Sequence, residues 1–253
     1  MKAIIIGAGR GSRLGPRTER IPKTLVEVMG RPMLDFILEA LEGGGIARKD
    51  VIFIAGYAEE AVRARYPDLA FVRNAGWADN NILLSLMTAR AHLTDGFLST
   101  YADIIYEGDI VRRLIESPAD ITLGCDTAWR RRYVDRSQHP ESDAEKLRAD
   151  GTRVVELSRR IPSDRASGEF IGVMKLTRRG TGDLLAAFDR ARALHEGRTF
   201  REGRTFEKAY LIDLLAEMLD AGAEMHRVDT PGGYMELDTL EDLAQAERWW
   251  NTR

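Results

Sequence analysis

A single cysteine stands in 253 residues, which excludes an internal disulfide and suits a reducing compartment. That residue, Cys125, ends the apolar run Ile121-Thr122-Leu123-Gly124-Cys125, as a core residue would. No apolar run is long enough to span a membrane, and the N-terminal one is too short for a signal peptide. A cytoplasmic protein is expected. The four histidines, at 92, 139, 195 and 226, have no metal-ligand spacing, which speaks against a zinc site. Nor is there a surplus of positive charge. The net charge of −3 argues against general affinity for nucleic acid. Arginines cluster instead, at Arg130-Arg131-Arg132 and Arg159-Arg160, in the manner of solvated surface that can also meet an anionic substrate. No Ser-His or Cys-His pair is suggested, so no activated nucleophile is expected.

What is present is concentrated in the first twenty-five residues. Ala3-Ile4-Ile5-Ile6 reads as a buried strand. It runs into Gly7-Ala8-Gly9-Arg10-Gly11-Ser12-Arg13-Leu14, and Arg20-Ile21-Pro22-Lys23-Thr24-Leu25 follows. Glycines let backbone N–H groups approach phosphates closely, and arginine and lysine neutralise them. A strand, a glycine loop and a nearby lysine therefore suit a polyphosphate. The dinucleotide fingerprint fails, because Ser12 stands where its third glycine belongs, and the Gly-Lys-Ser/Thr of a P-loop is absent.

Further along, strand and helix patterns alternate. Leu34, Ile37, Leu38 and Leu41 have helical spacing, and Gly43-Gly44-Gly45 stops that helix. Val51 to Ala55 and Leu69 to Arg73 read as strands around a polar helix at Glu59 to Arg65. This alternation predicts an α/β fold with a Rossmann-like, mostly parallel mixed sheet and helices on both faces. Ligands in such sheets bind beyond the carboxyl ends of the strands. That directs attention to Gly7 to Arg13, Gly56-Tyr57, Asn74 to Asn81, and Asp103. Asn80 also suits a helix N-cap, and Asp238 to Glu241 a capping pattern. Helices are expected at Thr181 to Leu194 and Lys208 to Leu219, and Glu-Gly-Arg-Thr-Phe occurs twice between 196 and 206 without an evident role.

The glycine loop followed by Pro22-Lys23 resembles the signature of nucleotidyltransferases that make sugar and alcohol nucleotides. The resemblance implies a nucleotide-diphospho-sugar transferase-like fold in one domain spanning 1–253. It implies that Arg13 and Lys23 are catalytic, on the phosphates of a nucleoside triphosphate. Gly7, Ala8, Gly9, Arg10, Gly11 and Ser12 would wrap that triphosphate, with Gly56, Tyr57, Asn81 and Ser85 completing the nucleotide site. Asn80-Asn81-Ile82, with Ser85-Leu86, is similar to a segment of the cytidylyltransferases that activate phosphocholine and small aminophosphonates, so CTP is favoured. Asp103, Glu236 and Asp238 match the family's carboxylates for Mg²⁺.

The stretch 126–167 is polar and aperiodic and is expected to be an acceptor-side insertion, with a hairpin-like piece at Arg153 to Ser158. By resemblance, Asn80, Asp126, Trp129, Tyr133, Glu169 and Tyr234 would receive the acceptor. Trp129 and Tyr133 could stack on a cationic group, or Trp129 could anchor the insertion on the core. Arg159-Arg160 stands where the family often has a lysine, and the two are not interchangeable. The expected partners are a nucleoside triphosphate and a small phospho- or phosphono-acceptor, with no nucleic acid; a homodimer is left open. Two other functions remain: a sugar-1-phosphate nucleotidyltransferase, and a nucleotide-binding regulatory subunit without catalysis.

Overall fold

The computed structural model describes residues 1–134, 136–202 and 205–250. Its frame is a nine-stranded sheet. Reading across, the strands are β5 (Ala70–Arg73), β4 (Val51–Ala55), β1 (Lys2–Ile6), β6 (Phe97–Tyr101), β11 (Gly168–Leu176), β8 (Ile121–Asp126), β12 (His226–Thr230), β10 (Arg153–Leu157) and β9 (Lys146–Asp150). The first four are mutually parallel. β11 runs antiparallel to both its neighbours, and β10 to both of its own. All the others point one way, which is the mostly parallel mixed sheet expected.

Alternation along the strands builds two cores. Ile4, Ile6, Ile52 and Ile54 face one side, beneath α3 (Ile82–Thr88), α5 (Arg178–His195) and α6 (Leu211–Asp220). Ala3, Ile5, Val51 and Phe53 face the other, beneath α1 (Met33–Gly43), α2 (Glu59–Arg65) and α4 (Gly108–Glu116). Period-two side chains on a sheet covered on both sides leave no polar face, so these strands read as continuous apolar runs.

Two small ladders stand apart from the main sheet. β2 (Glu27–Val28) and β3 (Arg31–Pro32) form a hairpin through Met29-Gly30, both at positive φ. β7 (Ile104–Tyr106) pairs antiparallel with β13 (Tyr234–Glu236), just before α7 (Leu240–Trp250). Within 126–167, β9 and β10 form a hairpin whose strands join the main sheet, so the polar segment is tied to the core by backbone pairing.

Three local expectations shift. The cap of α3 is Asn81, whose side-chain oxygen accepts from the Ile82 N–H at 2.9 Å; Asn80 is committed to Asn74. The helix expected from Lys208 begins at Leu211, because Tyr210 is extended and its N–H goes to the Asp213 carboxylate at 2.9 Å. Residues 203 and 204 of the repeated Glu-Gly-Arg-Thr-Phe stretch lie outside the described residues.

Candidate active site

The glycine loop leaves β1 over the end of β4, where the Gly7 N–H donates to Ile54 at 3.1 Å. A Cβ at Gly7 would lie 2.3 Å from the Phe53 ring, so only glycine lets the chain turn here. Gly11 has φ +73 and lies against the Lys23 side chain. A Cβ on Gly9, by contrast, would meet no protein atom within 4 Å. The protein's own packing does not require that glycine. Gly7, Ala8, Gly9, Gly11, Ser12 and Arg13 line a cavity of about 310 Å³, closed opposite by Trp77, Asn80, Asn81 and Ser85.

Across the mouth of this loop stand the carboxylates. β7 and β13 pair Ile104 with Glu236, and the Leu237 N–H donates to the Asp103 carbonyl at 2.9 Å. One short ladder thus brings Asp103, Glu236 and Asp238 together from segments more than 130 residues apart. Asp238 is not the helix cap. The Asp238 and Thr239 N–H groups both donate to Asp242 Oδ2 at 2.8 Å, while the Asp242 N–H returns to Thr239 Oγ1 at 3.3 Å. The capping pattern sits one residue later than expected and leaves the Asp238 carboxylate for the site.

Lys23 is buried between Asp103 Oδ2, at 2.9 Å, and Asp238 Oδ1. Burial alone would depress its ammonium, but Asp103, Asp238 and Glu236 outweigh that and hold it above its usual value. Burial likewise pushes the Asp238 carboxyl up, yet Lys23 and Arg13 hold it at about 2. Arg13 Nη2 reaches Asp238 Oδ2 at 2.5 Å. Glu236 lies well above the carboxylate range, through burial and then Asp238 and Asp103.

A second cavity of about 330 Å³ adjoins the first; Arg13 and Asp238 line both. Its wall also holds Glu169 and Tyr234, as expected, with Tyr101, Glu145, Arg159, Tyr210, His139 and Glu236. Arg132 and the Tyr133 hydroxyl fix Glu169 from behind, the latter at 2.7 Å.

Several expected contacts are corrected. Asp126 is fully buried and spends one oxygen on the Ala128 and Gly232 N–H groups, facing Arg132. Trp129 is 3% exposed and packs with Tyr133 and Ala144 inside the 126–167 segment, and it does not line the second cavity. Tyr133 backs Glu169 and is likewise absent from that wall. Asn80 belongs to the first cavity, not the second. Arg10 turns away to the Thr18 carbonyl at 3.2 Å. Gly56 and Tyr57 lie under the loop, with the Tyr57 N–H on the Ala8 carbonyl at 2.9 Å; Trp77, packed against the Tyr57 ring, forms the wall instead. Arg132, expected at the surface, is buried.

His139 had no signal in the sequence. Its Nδ1 accepts from Arg136 at 3.0 Å and lies 3.4 Å from Asp238, and its Nε2 faces Glu236 at 3.5 Å. Burial and Arg136 hold the imidazole below its usual pKa. Only tertiary contact brings it to residues 236 and 238.

The donor set suits a hard divalent cation. Asp103 Oδ1 is buried without a hydrogen-bond partner, and Glu236 is pushed up by burial and then by the Asp238 and Asp103 carboxylates beside it. Closely grouped carboxylate oxygens are what Mg²⁺ takes.

Sheet order, glycine loop and cleft define a nucleotide-diphospho-sugar transferase-like fold. Residues 3–194 match the MobA-like NTP transferase domain, and the chain belongs to that family. It is 25% identical over 253 residues to the CTP:phosphoglutamine cytidylyltransferase of Campylobacter jejuni, covering 96% of this chain and 98% of that protein. It is 38% identical over 101 residues to the choline-phosphate cytidylyltransferase of Streptococcus pneumoniae, covering 39% of this chain and 43% of that one. The solved structure of the CTP:phosphocholine cytidylyltransferase from Streptococcus pneumoniae superposes with a TM-score of 0.72 at 22% identity, over 98% of this chain and 97% of that one. At that identity the likeness concerns the fold alone.

Proposed function

We propose that the protein transfers CMP from CTP to a small phosphorylated or phosphonate acceptor, releasing pyrophosphate. The observation that carries this reading is the meeting of two cavities at Arg13 and Asp238, with Lys23 between Asp103 and Asp238 beneath a glycine loop. Family membership and the cytidylyltransferase relatives support it.

In this reading the triphosphate lies along Gly7 to Ser12 and the acceptor enters from the second cavity. A phosphate oxygen is largely ionised at neutral pH, its second pKa being about 6, so no general base is needed. That oxygen attacks the α-phosphorus in line; the bond to the bridging oxygen breaks and pyrophosphate leaves. Two anions must be brought together, so the protein contributes orientation and charge neutralisation. Lys23 stabilises charge growing on the α-phosphoryl oxygens, while Arg13 and the loop amides hold the pyrophosphate. Asp103 and Asp238, with Glu236 close by, would hold Mg²⁺, which supplies further neutralisation of the phosphates. Gly9, unexplained by internal packing, is accounted for by close approach of a phosphate.

Pyrophosphate release over a grid of nucleoside triphosphates and acceptors tests the reading. Release with CTP and phosphocholine, 2-aminoethylphosphonate or another small phospho-acceptor is expected. Release only with a sugar 1-phosphate would transfer the protein to the sugar-nucleotide group. Nucleotide binding without release across the grid would favour a regulatory subunit.

A further inference from the structure

Beyond the junction, the second cavity holds an ion pair that the transfer chemistry does not use. Arg159 Nη2 donates to Glu145 Oε1 at 3.0 Å. The guanidinium carbon lies 3.7 Å from the centre of the Tyr210 ring, so one face is stacked and the edge N–H groups remain for partners. Its Nε is buried with no partner. Glu145 Oε2 accepts from the Tyr101 hydroxyl at 3.2 Å. The Arg159 backbone N–H is held by Glu202 at 3.2 Å. Both charges are thus fixed side by side in a cavity wall, and neither lines the glycine-loop cavity.

Resting on the transferase reading, we propose that the acceptor carries an α-amino-acid headgroup at the end remote from its phospho group, and that Arg159 and Glu145 receive it. An α-amino acid presents the same two charges on adjacent positions. Its carboxylate takes the guanidinium fork, and its ammonium takes the place of Arg159 on Glu145. Exchange of partners keeps both protein charges paired, so neither pays for isolated burial. A headgroup with an ammonium alone leaves the guanidinium repelling it. One with a carboxylate alone draws Arg159 away and leaves Glu145 without a cation.

Calorimetric titration of the full chain with O-phospho-L-serine, phosphoethanolamine and 3-(phosphonooxy)propionate tests this without requiring turnover. The second probe lacks the carboxylate and the third the ammonium. O-phospho-L-serine is expected to bind about tenfold more tightly than either, as loss of one charged hydrogen-bonded contact implies. Arg159→Gln should bring its affinity down to that of phosphoethanolamine, and Arg159→Lys should restore part of the ratio, having charge without the fork. Equal binding of the three probes by the native protein, or no binding of O-phospho-L-serine, overturns the proposal, as does an unchanged ratio in a folded Arg159→Gln. If that variant does not fold, the native ratio decides. Pyrophosphate release with CTP is read separately: silence there with the binding ratio intact would sink the transferase reading and leave the headgroup site standing.

Discussion

At the scale of single residues, charge compensation decides what the site can do. Lys23 is buried, and a buried ammonium survives only because three carboxylates surround it. Lys23→Ala is expected to lower turnover by about 10²–10³-fold, the usual cost of one charge-stabilising donor, with a much smaller change in CTP affinity. Steady-state pyrophosphate release and nucleotide calorimetry check this; an equal loss in both would make Lys23 a binding residue only. Cys125 is the contrasting case. It is fully buried, and burial pushes its thiol up to about 12. Thiol reagents at pH 8 should therefore leave the native protein unlabelled and react once it is unfolded in denaturant. Fast native labelling would place Cys125 outside the core.

At the scale of elements, two contacts hold the scaffold under the cleft. Gly172 sits in β11 at φ +74, where the pairing with β8 shifts register, and a Cβ there would lie 2.3 Å from the Tyr101 ring. Gly172→Ala combines a left-handed backbone with a clash against rigid aromatic atoms. A loss of about 2 kcal/mol or more is expected, read as a lower urea midpoint at unchanged slope. The second contact ties the end of α2 to α1: the Tyr66 hydroxyl donates to Asp35 at 2.7 Å. Burial, then this bond, push Tyr66 up to about 12, from an ordinary value of 10.0. The folded protein therefore keeps the phenolic proton when the unfolded chain has lost it. Stability should fall as pH rises from about 10 to 12, and Tyr66→Phe should flatten that slope in alkaline thermal denaturation. Parallel slopes would remove Tyr66 as the cause.

At the scale of the whole molecule, the cleft joins segments from both ends of the chain, so a ligand in it should stabilise the entire fold. CTP with Mg²⁺ at a hundred times its dissociation constant should add about 2.7 kcal/mol, read as a raised Tm. Chelation of divalent ions should abolish turnover and diminish that shift. An unchanged shift with abolished turnover would show that the nucleotide binds without metal. No described helix is long and apolar enough to cross a membrane.

What the sequence determined by itself was local in origin. Apolar runs define strands, helical spacing defines helices, and a glycine loop with Lys23 nearby lies within twenty-five residues. Glu236 and Asp238 were legible as alternate positions on one extended segment, and Asp103 as a strand-end carboxylate. Tertiary structure alone decided what met what. The β7–β13 ladder sets Asp103 beside Glu236 and Asp238. Packing of the 126–167 segment brings His139 to the same carboxylates, buries Trp129, and stacks Arg159 on Tyr210. The physical reason is one of range. Periodicity and turn chemistry act over a few residues and leave a trace in the chain. Charge pairing and burial depend on distances in space, which spacing along the chain does not encode.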